Sequence, residues 1–280
     1  MRQRDKYRPE LENLEIELLL NAIDRLHGIN LTDGAGGFGA PVRKRIWEAI
    51  RKEKVRTVSG LQNRLLHDSD ALDRFLKTVL PPFVPYSAGF LQTFRYDLVP
   101  FLRTWPFVRV WQVGCNSVFE TYCLAIILLE EGVYEKSVIY GTDVNEGFIQ
   151  NCYDGAFPLS QLEKYDKIYQ KSGGRSTLTQ YFSGGGKSGM FDSALRKNMV
   201  FSRHNLATDS SFNEFNAIFC RNPLKFFDRT VQERAHLLLY ESLDQFGVLG
   251  LTQGETLEQA PTAHRFEAFD QENNLYRKIG

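Results

Sequence analysis

The clearest hydrophobic pattern in this chain predicts a strand, a turn and a helix in direct succession. β-Branched and aromatic residues from Val108 to Val113 are typical of a buried strand, which stops at Gly114. A helix is predicted from about Glu120 to Glu131, because apolar residues recur there at helical spacing and Gly132 provides a C-cap.

A second apolar strand follows this helix and ends on an acidic residue. Val138 to Thr142 forms the strand, and Asp143 comes directly after it. Strand, turn, helix, strand and acid in this order are typical of the first half of a nucleotide-binding α/β sheet. Such sheets bind ligands at the carboxyl ends of their strands, where an acid contacts ribose hydroxyls. The pattern therefore predicts an α/β fold with a ligand cleft between Gly114 and Asp143.

The first 80 residues have the pattern of a small all-helical domain. Helices are predicted over 14–26, from Pro41 onward, over 61–67 and over 71–80. Ser59 and Ser69 are the predicted N-caps of the last two. The second helix carries basic residues around an apolar stripe: Arg43, Lys44, Arg45, Arg51, Lys52 and Lys54. Taken alone, such a charge run is more often a solvated helix face than a binding site.

The part of the chain after Asp143 supplies the remaining elements. They are a helix over 145–151, an irregular connection over 157–176, three short strands within 178–203, a strand over 215–220, a helix over 230–246, a strand over 248–252 and a closing hairpin. The glycine-rich stretches 34–39 and 184–189 lack the strand-to-helix context of a phosphate-binding loop. We therefore interpret them as a loop and a hairpin turn.

Composition narrows the class of protein. Lys+Arg and Asp+Glu both number 34 among 280 residues, so no net charge favours DNA or an anionic membrane. No apolar run approaches the roughly 20 residues of a membrane span, and the charged N-terminus is unlike a signal peptide. The cysteines show no metal or disulfide spacing: Cys115, Cys123, Cys152 and Cys220. We expect a cytoplasmic protein that holds no metal, binds no DNA and does not insert into membranes.

Four motifs give the chain a family resemblance. The turn after the first strand reads GCNSVFETYCLA from Gly114, and it is followed by YGTDVN at 140–145, HNLATD at 204–209 and CRNPLKFFD at 220–228. Together these resemble the CheR family, whose members use S-adenosylmethionine (SAM) to esterify glutamates of bacterial chemoreceptors. The resemblance covers nearly the whole chain. It implies a Rossmann-like SAM-dependent methyltransferase sheet with a small β-subdomain, preceded by an all-helical N-terminal domain.

The resemblance also implies functional residues. Matching positions assign a cofactor-binding role to Gly114, Glu120, Asp143, Asn205, Leu206, Arg221 and Asn222. In the family, a basic helix of the N-terminal domain lies beside the substrate cleft and faces acidic receptor helices. That relation implies a partner-binding role for Arg43, Lys44, Arg45 and Arg51.

The sequence departs from the family pattern at positions that hold the reacting end of SAM. In the family turn AGCSTGEE, the glycine and first glutamate of GEE correspond here to Val118 and Phe119. The stretch LPPFVPYSA aligns without a gap with N-x-T-x-x-FRDP, so Leu80, Pro82 and Tyr86 replace an asparagine, a threonine and an arginine. Apolar and aromatic side chains cannot supply the charge-assisted hydrogen bonds of the residues they replace. We therefore expect no catalytic residue at these positions, and SAM binding that is weak or lost.

These observations predict an N-terminal helical domain over 1–80, a linker over 81–106 and a methyltransferase domain over 107–280 with its β-subdomain at 178–203. The leading functional hypothesis is a degenerate pseudo-methyltransferase. It binds a protein partner, such as a chemoreceptor, in bacterial motility or second-messenger signalling. An alternative is an active SAM-dependent protein-glutamate O-methyltransferase. A further alternative is a pocket repurposed for another nucleotide ligand.

Overall fold

The computed structural model describes residues 9–27, 40–79, 85–115, 117–183, 188–220, 224, 227, 229–252, 255–258 and 260–280. The chain divides into two compact units. One comprises 1–82 with 226–231, and the other comprises 83–225 with 232–280.

The first unit is helical, as predicted. Its helices are α1 (Pro9–His27), α2 (Ala40–Lys52), α3 (Val58–His67) and α4 (Ser69–Val79). The N-cap predictions were wrong by one or two residues. Thr57 caps α3 by accepting the N–H of Gly60, and Asp68 accepts the N–H of Ala71 at the start of α4. Both side chains satisfy donors that a helix start leaves without a partner.

The second unit is built on two sheets and the helices around them. Its strands are β1 (Val108–Val113), β2 (Ser137–Asp143), β3 (Ala156–Pro158), β4 (Phe182–Ser183), β5 (Ser188–Phe191), β6 (Met199–Arg203), β7 (Phe215–Cys220), β8 (Leu243–Leu251), β9 (Phe266–Asp270) and β10 (Leu275–Lys278). Its helices are α5 (Ala88–Thr93), α6 (Val99–Leu102), α7 (Val118–Glu130), α8 (Glu146–Asp154), α9 (Leu162–Lys171) and α10 (Arg229–Glu241).

The large sheet confirms the predicted Rossmann-like architecture. Its strand order among the described residues is β6-β2-β1-β7-β8-β10-β9, and β10 pairs antiparallel with both β8 and β9. Every residue of β7 and nearly every residue of β1 is buried, which explains why both read as continuous apolar runs. In register, Val113 pairs with both Thr142 and Cys220. The carboxyl ends of β1, β2 and β7 therefore meet at one edge of the sheet.

The small sheet differs from the prediction. It has the order β3-β5-β4, and residues 178–181 form a 3₁₀ turn rather than a strand. The stretch Met199–Arg203 is a strand as predicted, but it extends the large sheet because Ile139 of β2 pairs with Met199. The connection over 157–176, predicted to be irregular, contains α9. Tyr165 and Tyr169 anchor that helix in the core.

Helix α10 is shorter than predicted. It ends at Glu241, whereas the sequence pattern extended the helix to Phe246. Strand β8 begins at Leu243, which pairs with Phe215 of β7. Phe246 has a φ of 66°, which no helix continues through. Because apolar residues occur on both sides of this junction, their spacing alone did not reveal the break.

The segment predicted as a linker is mostly helical. From Ala88 to Leu102 the chain forms α5, a π-helical turn over Phe94–Leu98 and α6. Pro100 lies two residues after the end of the π turn, in the first turn of α6. A proline lacks the N–H that an α-helix needs and clashes with the preceding turn, so the wider π turn accommodates it.

The described residues also bear on the compositional expectations. All four cysteines are buried and none forms a disulfide; burial raises the pKa of the Cys123 thiol. Within the described ranges, no helix combines the length and apolarity needed to cross a bilayer. In the same ranges, no three His, Cys, Asp or Glu side chains are grouped to hold a metal ion.

Candidate functional site

The loop after β1 contains a glycine in a left-handed conformation. Gly114 has a φ of 97°, a region that residues with a Cβ rarely adopt. Its N–H donates to the carbonyl of Thr142 at 2.7 Å. The next residue, Cys115, donates its N–H to Asp143 Oδ2 at 2.9 Å. These two hydrogen bonds fasten the loop to the end of β2.

Asp143 organises the turn that follows β2 as well. Its Oδ1 accepts the N–H of Asn145 at 2.8 Å, and Asn145 in turn is the N-cap of α8. The carboxylate thus caps two backbone turns and lies half-buried at the carboxyl end of its strand. Two backbone donors do not exhaust a carboxylate, which has about four acceptor positions. The capping role and a role in binding ribose hydroxyls are therefore compatible.

The first turn of α7 faces an aromatic core. Ser117 is the N-cap and accepts the N–H of Glu120 at 3.4 Å. Phe119 is fully buried, with its ring centroid 4.2 Å from that of Tyr165 and 6.5 Å from that of Phe157. The position that resemblance assigns to a carboxylate thus contributes to hydrophobic packing.

Glu120 has no solvent-accessible surface. Its Oε1 accepts the backbone N–H of Tyr86 at 2.5 Å, and its Oε2 accepts from the amide of Gln112 at 3.3 Å. The hydroxyl of Tyr86 donates to Gln112 Oε1 at 3.1 Å, which closes a small polar network inside the core. The position of Glu120 in the first turn of α7 also favours its negative charge. The carboxylate therefore fixes the Tyr86 segment against β1 and α7.

Tyr86 occupies the position at which the family resemblance implies an arginine. Its ring is fully buried, stacks on Phe90 at a centroid distance of 4.2 Å and meets the edge of Phe219 at 6.3 Å. The other two positions of this segment, Leu80 and Pro82, lie outside the described residues. An uncharged phenol bonded to Gln112 thus replaces a cation in this part of the core.

Asn205 and Leu206 begin a closed turn after β6. Asn205 Oδ1 accepts the N–H of Ala207 at 2.9 Å, and Asp209 Oδ2 accepts the N–H of Asn205 at 2.8 Å. Although burial opposes the shift, the hydrogen bond from Asn205 lowers the pKa of Asp209. Leu206 is buried. The side-chain oxygen of Asn205 therefore stabilises its own turn.

Arg234 of α10 holds this turn from outside. Its Nη1 donates to the carbonyl of Ala207 at 2.6 Å, and its Nη2 donates to the carbonyl of Thr208 at 2.6 Å. Sequence reasoning missed this residue, because an arginine on a helix about 25 residues further along gives no local signal. It positions the turn that contains Asn205 and Leu206.

Arg221 and Asn222 lie outside the described residues. They directly follow Cys220, the last residue of β7, which is in register with Val113 of β1. Their cofactor-binding role stays a prediction.

Two of the four predicted partner-binding residues on α2 have internal contacts. Arg43 donates to Glu12 at 3.4 Å and also bonds to Asn13, both on α1. Arg45 donates to the carbonyl of Val79, the last residue of α4, at 3.1 Å. The expectation that these arginines only face solvent was wrong, because they join α2 to two other helices.

The other two residues are exposed. Lys44 and Arg51 both point to solvent on α2. They and the exposed Lys52, which pairs with Glu48 at 2.9 Å, leave this helix with a basic outer face. Lys44 and Arg51 are therefore the members of the predicted set whose substitution leaves the internal contacts of the unit in place.

Comparison with known proteins assigns the family. Residues 90–272 match the family described as CheR methyltransferase, SAM binding domain. Cher3 of Pseudomonas putida is 34% identical over 271 residues, which cover 95% of this chain and 97% of Cher3. The chain belongs to the CheR methyltransferase family.

Other CheR proteins are more distant. Chemotaxis protein methyltransferase of Listeria innocua is 26% identical over 223 residues, covering 77% of this chain and 81% of its own. Chemotaxis protein methyltransferase 2 of Vibrio cholerae is 27% identical over 178 residues, covering 61% and 59%. Among solved structures, DszA carbon methyltransferase aligns over 86% of this chain and 52% of its own, with 14% identity and a TM-score of 0.36.

The residues of this CheR protein fit the two halves of SAM unequally. Gly114 and Asp143 form a left-handed turn and a strand-end acid, which suit the ribose half. The amino-acid half needs charged partners for an ammonium and a carboxylate. On that side, Phe119 and Tyr86 are packed in the core, and Glu120 is buried beneath the Tyr86 backbone. Among these three residues, the one charged group, Glu120, is engaged within the core.

Proposed function

We propose that this CheR protein is a degenerate family member that acts by binding a partner protein instead of transferring methyl groups. The observation that carries the proposal is the engagement of Glu120. A carboxylate that could pair with the cofactor ammonium accepts from Tyr86 and Gln112 instead, without solvent access. Because Glu120 has no accessible surface, a SAM molecule could reach it only if the Tyr86 segment moved away from the first turn of α7.

The free energy of the hydrogen bonds that these replacements remove supports weak or absent SAM binding. Charge-assisted hydrogen bonds contribute about 1.5–3 kcal/mol each. Replacing the carboxylate and the arginine that the resemblance implies by Phe119 and Tyr86 weakens binding by about two to four powers of ten, since each 1.4 kcal/mol is about tenfold.

The proposed partner is a protein with acidic helices, such as a chemoreceptor or a related signalling protein in the cytoplasm. The basic outer face of α2, with Lys44 and Arg51, supplies complementary charge. Relatives of this chain are named chemotaxis protein methyltransferases, which supports a receptor-like protein as the first candidate.

A transfer assay tests the proposal. The purified chain is incubated with labelled SAM at millimolar concentration and with helical fragments of chemoreceptors from the same genome. An active CheR relative is the positive control on the same fragments. We expect the fragments to be captured without receiving label. Label on glutamate carboxyls above a no-enzyme control would overturn the proposal.

An active protein-glutamate O-methyltransferase is the second candidate. The loop hydrogen bonds around Gly114 and Asp143 favour it, because they preserve the ligand edge of the sheet. In an active enzyme the protein mainly positions the carboxylate and excludes water around a donor that is already activated. The transfer assay distinguishes the two candidates directly.

A pocket that holds another nucleotide is the third candidate. The aromatic and apolar replacements could stack a base, and ligand binding raises the melting temperature of the protein. A thermal-shift screen of nucleotides and cyclic dinucleotides tests this candidate. A stabiliser at micromolar concentration supports it, and a flat screen removes it.

A further inference from the structure

Helix α1 has a second apolar stripe besides the one that it buries. Leu11, Leu14 and Leu18 are 51%, 51% and 53% exposed. The buried stripe consists of Ile16, Leu19, Leu20 and Ile23. Residues three and four apart are neighbours on a helix surface, so the three exposed leucines form one continuous face. We call this face the leucine seam.

The seam has the spacing of a coiled-coil contact. Its leucines are separated by three and then four residues, and the same spacing continues to Asn21 and Arg25, which are both exposed. In heptad terms, Leu11 and Leu18 are a positions and Leu14 is a d position. The apolar contact therefore covers about two turns and ends in polar residues, which is enough for one short helix–helix contact.

The charges beside the seam all have one sign. The flanking e and g positions are Glu10, Glu15, Glu17, Ala22 and Asp24. Residues at these positions select the partner in coiled coils. Glu12 is at a b position and does not flank the seam. It accepts hydrogen bonds from Trp47 and Arg43 inside the unit. The flanks of the seam are thus acidic on both sides.

We propose that the leucine seam docks a single amphipathic helix of another protein, whose apolar stripe is flanked by lysine or arginine. A second copy of this chain is disfavoured. Parallel pairing would bring Glu10 of one copy opposite Glu15 of the other, and antiparallel pairing would bring g positions together and e positions together. Like charges in those positions act against self-association, whereas a basic flank complements them. The inference does not depend on whether the chain binds SAM.

Two synthetic peptides test the docking surface. Both are about 21 residues long, three heptads, with leucine at a and d; one has lysine at e and g and the other has glutamate. Each labelled peptide is titrated with the full chain, and fluorescence anisotropy is measured. The lysine peptide should bind at least about tenfold more tightly than the glutamate peptide. Its binding should weaken as salt rises, because Glu10 and Glu17 are exposed and salt screens exposed charges.

Matched variants distinguish binding at the leucine seam from nonspecific hydrophobic binding of the peptide. Leu14→Gln with Leu18→Gln should abolish binding of the lysine peptide. Leu237→Gln, a substitution of a leucine of α10 that is 43% exposed, should leave it unchanged. Glu10→Lys with Glu17→Lys leaves two basic and two acidic flanking residues, so it should remove the preference for the lysine peptide. Circular dichroism checks that every variant melts within a few degrees of the parent, as expected for exposed positions.

Three results would overturn the inference. They are the absence of saturable binding by the lysine peptide, equal affinity for both peptides, and unchanged binding by the double glutamine variant. Light scattering of the parent chain and of the double glutamine variant measures whether each is a monomer or a dimer. A dimer of the parent chain that dissociates in the double glutamine variant would assign the seam to a second copy instead.

Discussion

The buried network of Tyr86, Gln112 and Glu120 is the decisive feature at the scale of single residues. Sequence comparison identifies Glu120 as a carboxylate retained from the family turn, which suggests that it still serves the cofactor. In the structure, the same carboxylate accepts from Tyr86 and Gln112 and has no accessible surface. A group that keeps its family identity has acquired the contacts of a structural residue.

Glu120→Ala should therefore destabilise the protein. It removes the acceptor of two buried donors, Tyr86 N–H and the Gln112 amide, and each loss costs about 1–3 kcal/mol. We expect the free energy of unfolding in urea to fall by about 2–4 kcal/mol. The matched control is Glu135→Ala, since Glu135 is 75% exposed and pairs only with the exposed Lys197. Equal stability of the two variants would contradict the structural role.

At the scale of elements, a buried ion cluster joins three helical segments. Arg95 of the π turn is 1% exposed and pairs with Glu130 at 2.6 Å and Glu131 at 2.8 Å, both at the end of α7. Tyr169 of α9 donates to Glu130 at 2.5 Å. Burial raises the pKa of Glu130, but the hydrogen bond from Tyr169 and the pairing with Arg95 outweigh it and lower that pKa.

The lowered pKa makes the stability from Glu130 dependent on pH. A carboxyl whose pKa is lower in the folded state stabilises the protein above its unfolded pKa of about 4.3, and this contribution is lost as pH falls through the folded value. We expect parent and Glu130→Gln to differ most in free energy of unfolding above about pH 5 and to converge in acid. Urea titrations between about pH 7 and pH 3 measure this. A difference in free energy of unfolding that grows as pH falls would contradict a stabilising role for the ionised Glu130.

The two hydrogen bonds from Arg234 to the turn after β6 give a second prediction at this scale. Arg234→Ala should loosen the turn after β6, because two carbonyls lose a charged donor. Hydrogen exchange of the Thr208 and Asp209 amides, both bonded to the Asn205 carbonyl, should speed up about tenfold or more. Arg56→Ala, at an exposed position of the first unit, is the control and should change neither rate. Unaltered exchange in Arg234→Ala would contradict the claim that Arg234 stabilises this turn.

The sequence predicted elements best where local patterns and tertiary packing agree. Strands β1 and β7 are buried along nearly their whole length and β2 buries four of its seven residues, so their apolar residues identify them without further information. The break between α10 and β8 was missed because apolar residues continue through it. The sheet to which Met199–Arg203 belongs was also missed, since pairing with β2 is set by distant residues.

The candidate site was predicted only where its features are local in sequence. Motif spacing predicted the turn at Gly114 and the strand-end position of Asp143, because both are local features, while their role in cofactor binding stays a prediction. The engagement of Glu120 could not be predicted, as it depends on a backbone N–H 34 residues away. The internal contacts of Arg43 and Arg45 could not be predicted either. Charge in sequence does not distinguish an arginine that joins helices from one that faces solvent.

At the scale of the whole molecule, charge is balanced in total but divided locally. The formal charge is zero, yet α2 has a basic outer face and α1 has acidic flanks beside its leucine seam. Long-range attraction to any one class of partner is thereby weak, while each face can select its own partner. Two separate partner surfaces on one small helical unit are consistent with a protein that works by assembly.

Reversal of the exposed charges on α2 tests the basic face. Lys44→Glu with Arg51→Glu should reduce capture of acidic receptor fragments by about tenfold or more at low salt, with an unchanged melting temperature. Arg43→Glu, in contrast, should lower the melting temperature, because it breaks the contacts with Glu12 and Asn13. A pull-down with quantified binding measures the first effect. Unchanged capture by the double variant would place the receptor-binding surface elsewhere.

Calorimetric titration with SAM and its demethylated product, S-adenosylhomocysteine, tests the central claim most directly. The claim is that the scaffold of a CheR methyltransferase has lost the contacts that hold the charged tail of the cofactor. We predict no saturable heat for either compound up to about 1 mM, which corresponds to less than about 4 kcal/mol of binding free energy. Micromolar binding of either compound would contradict the claim.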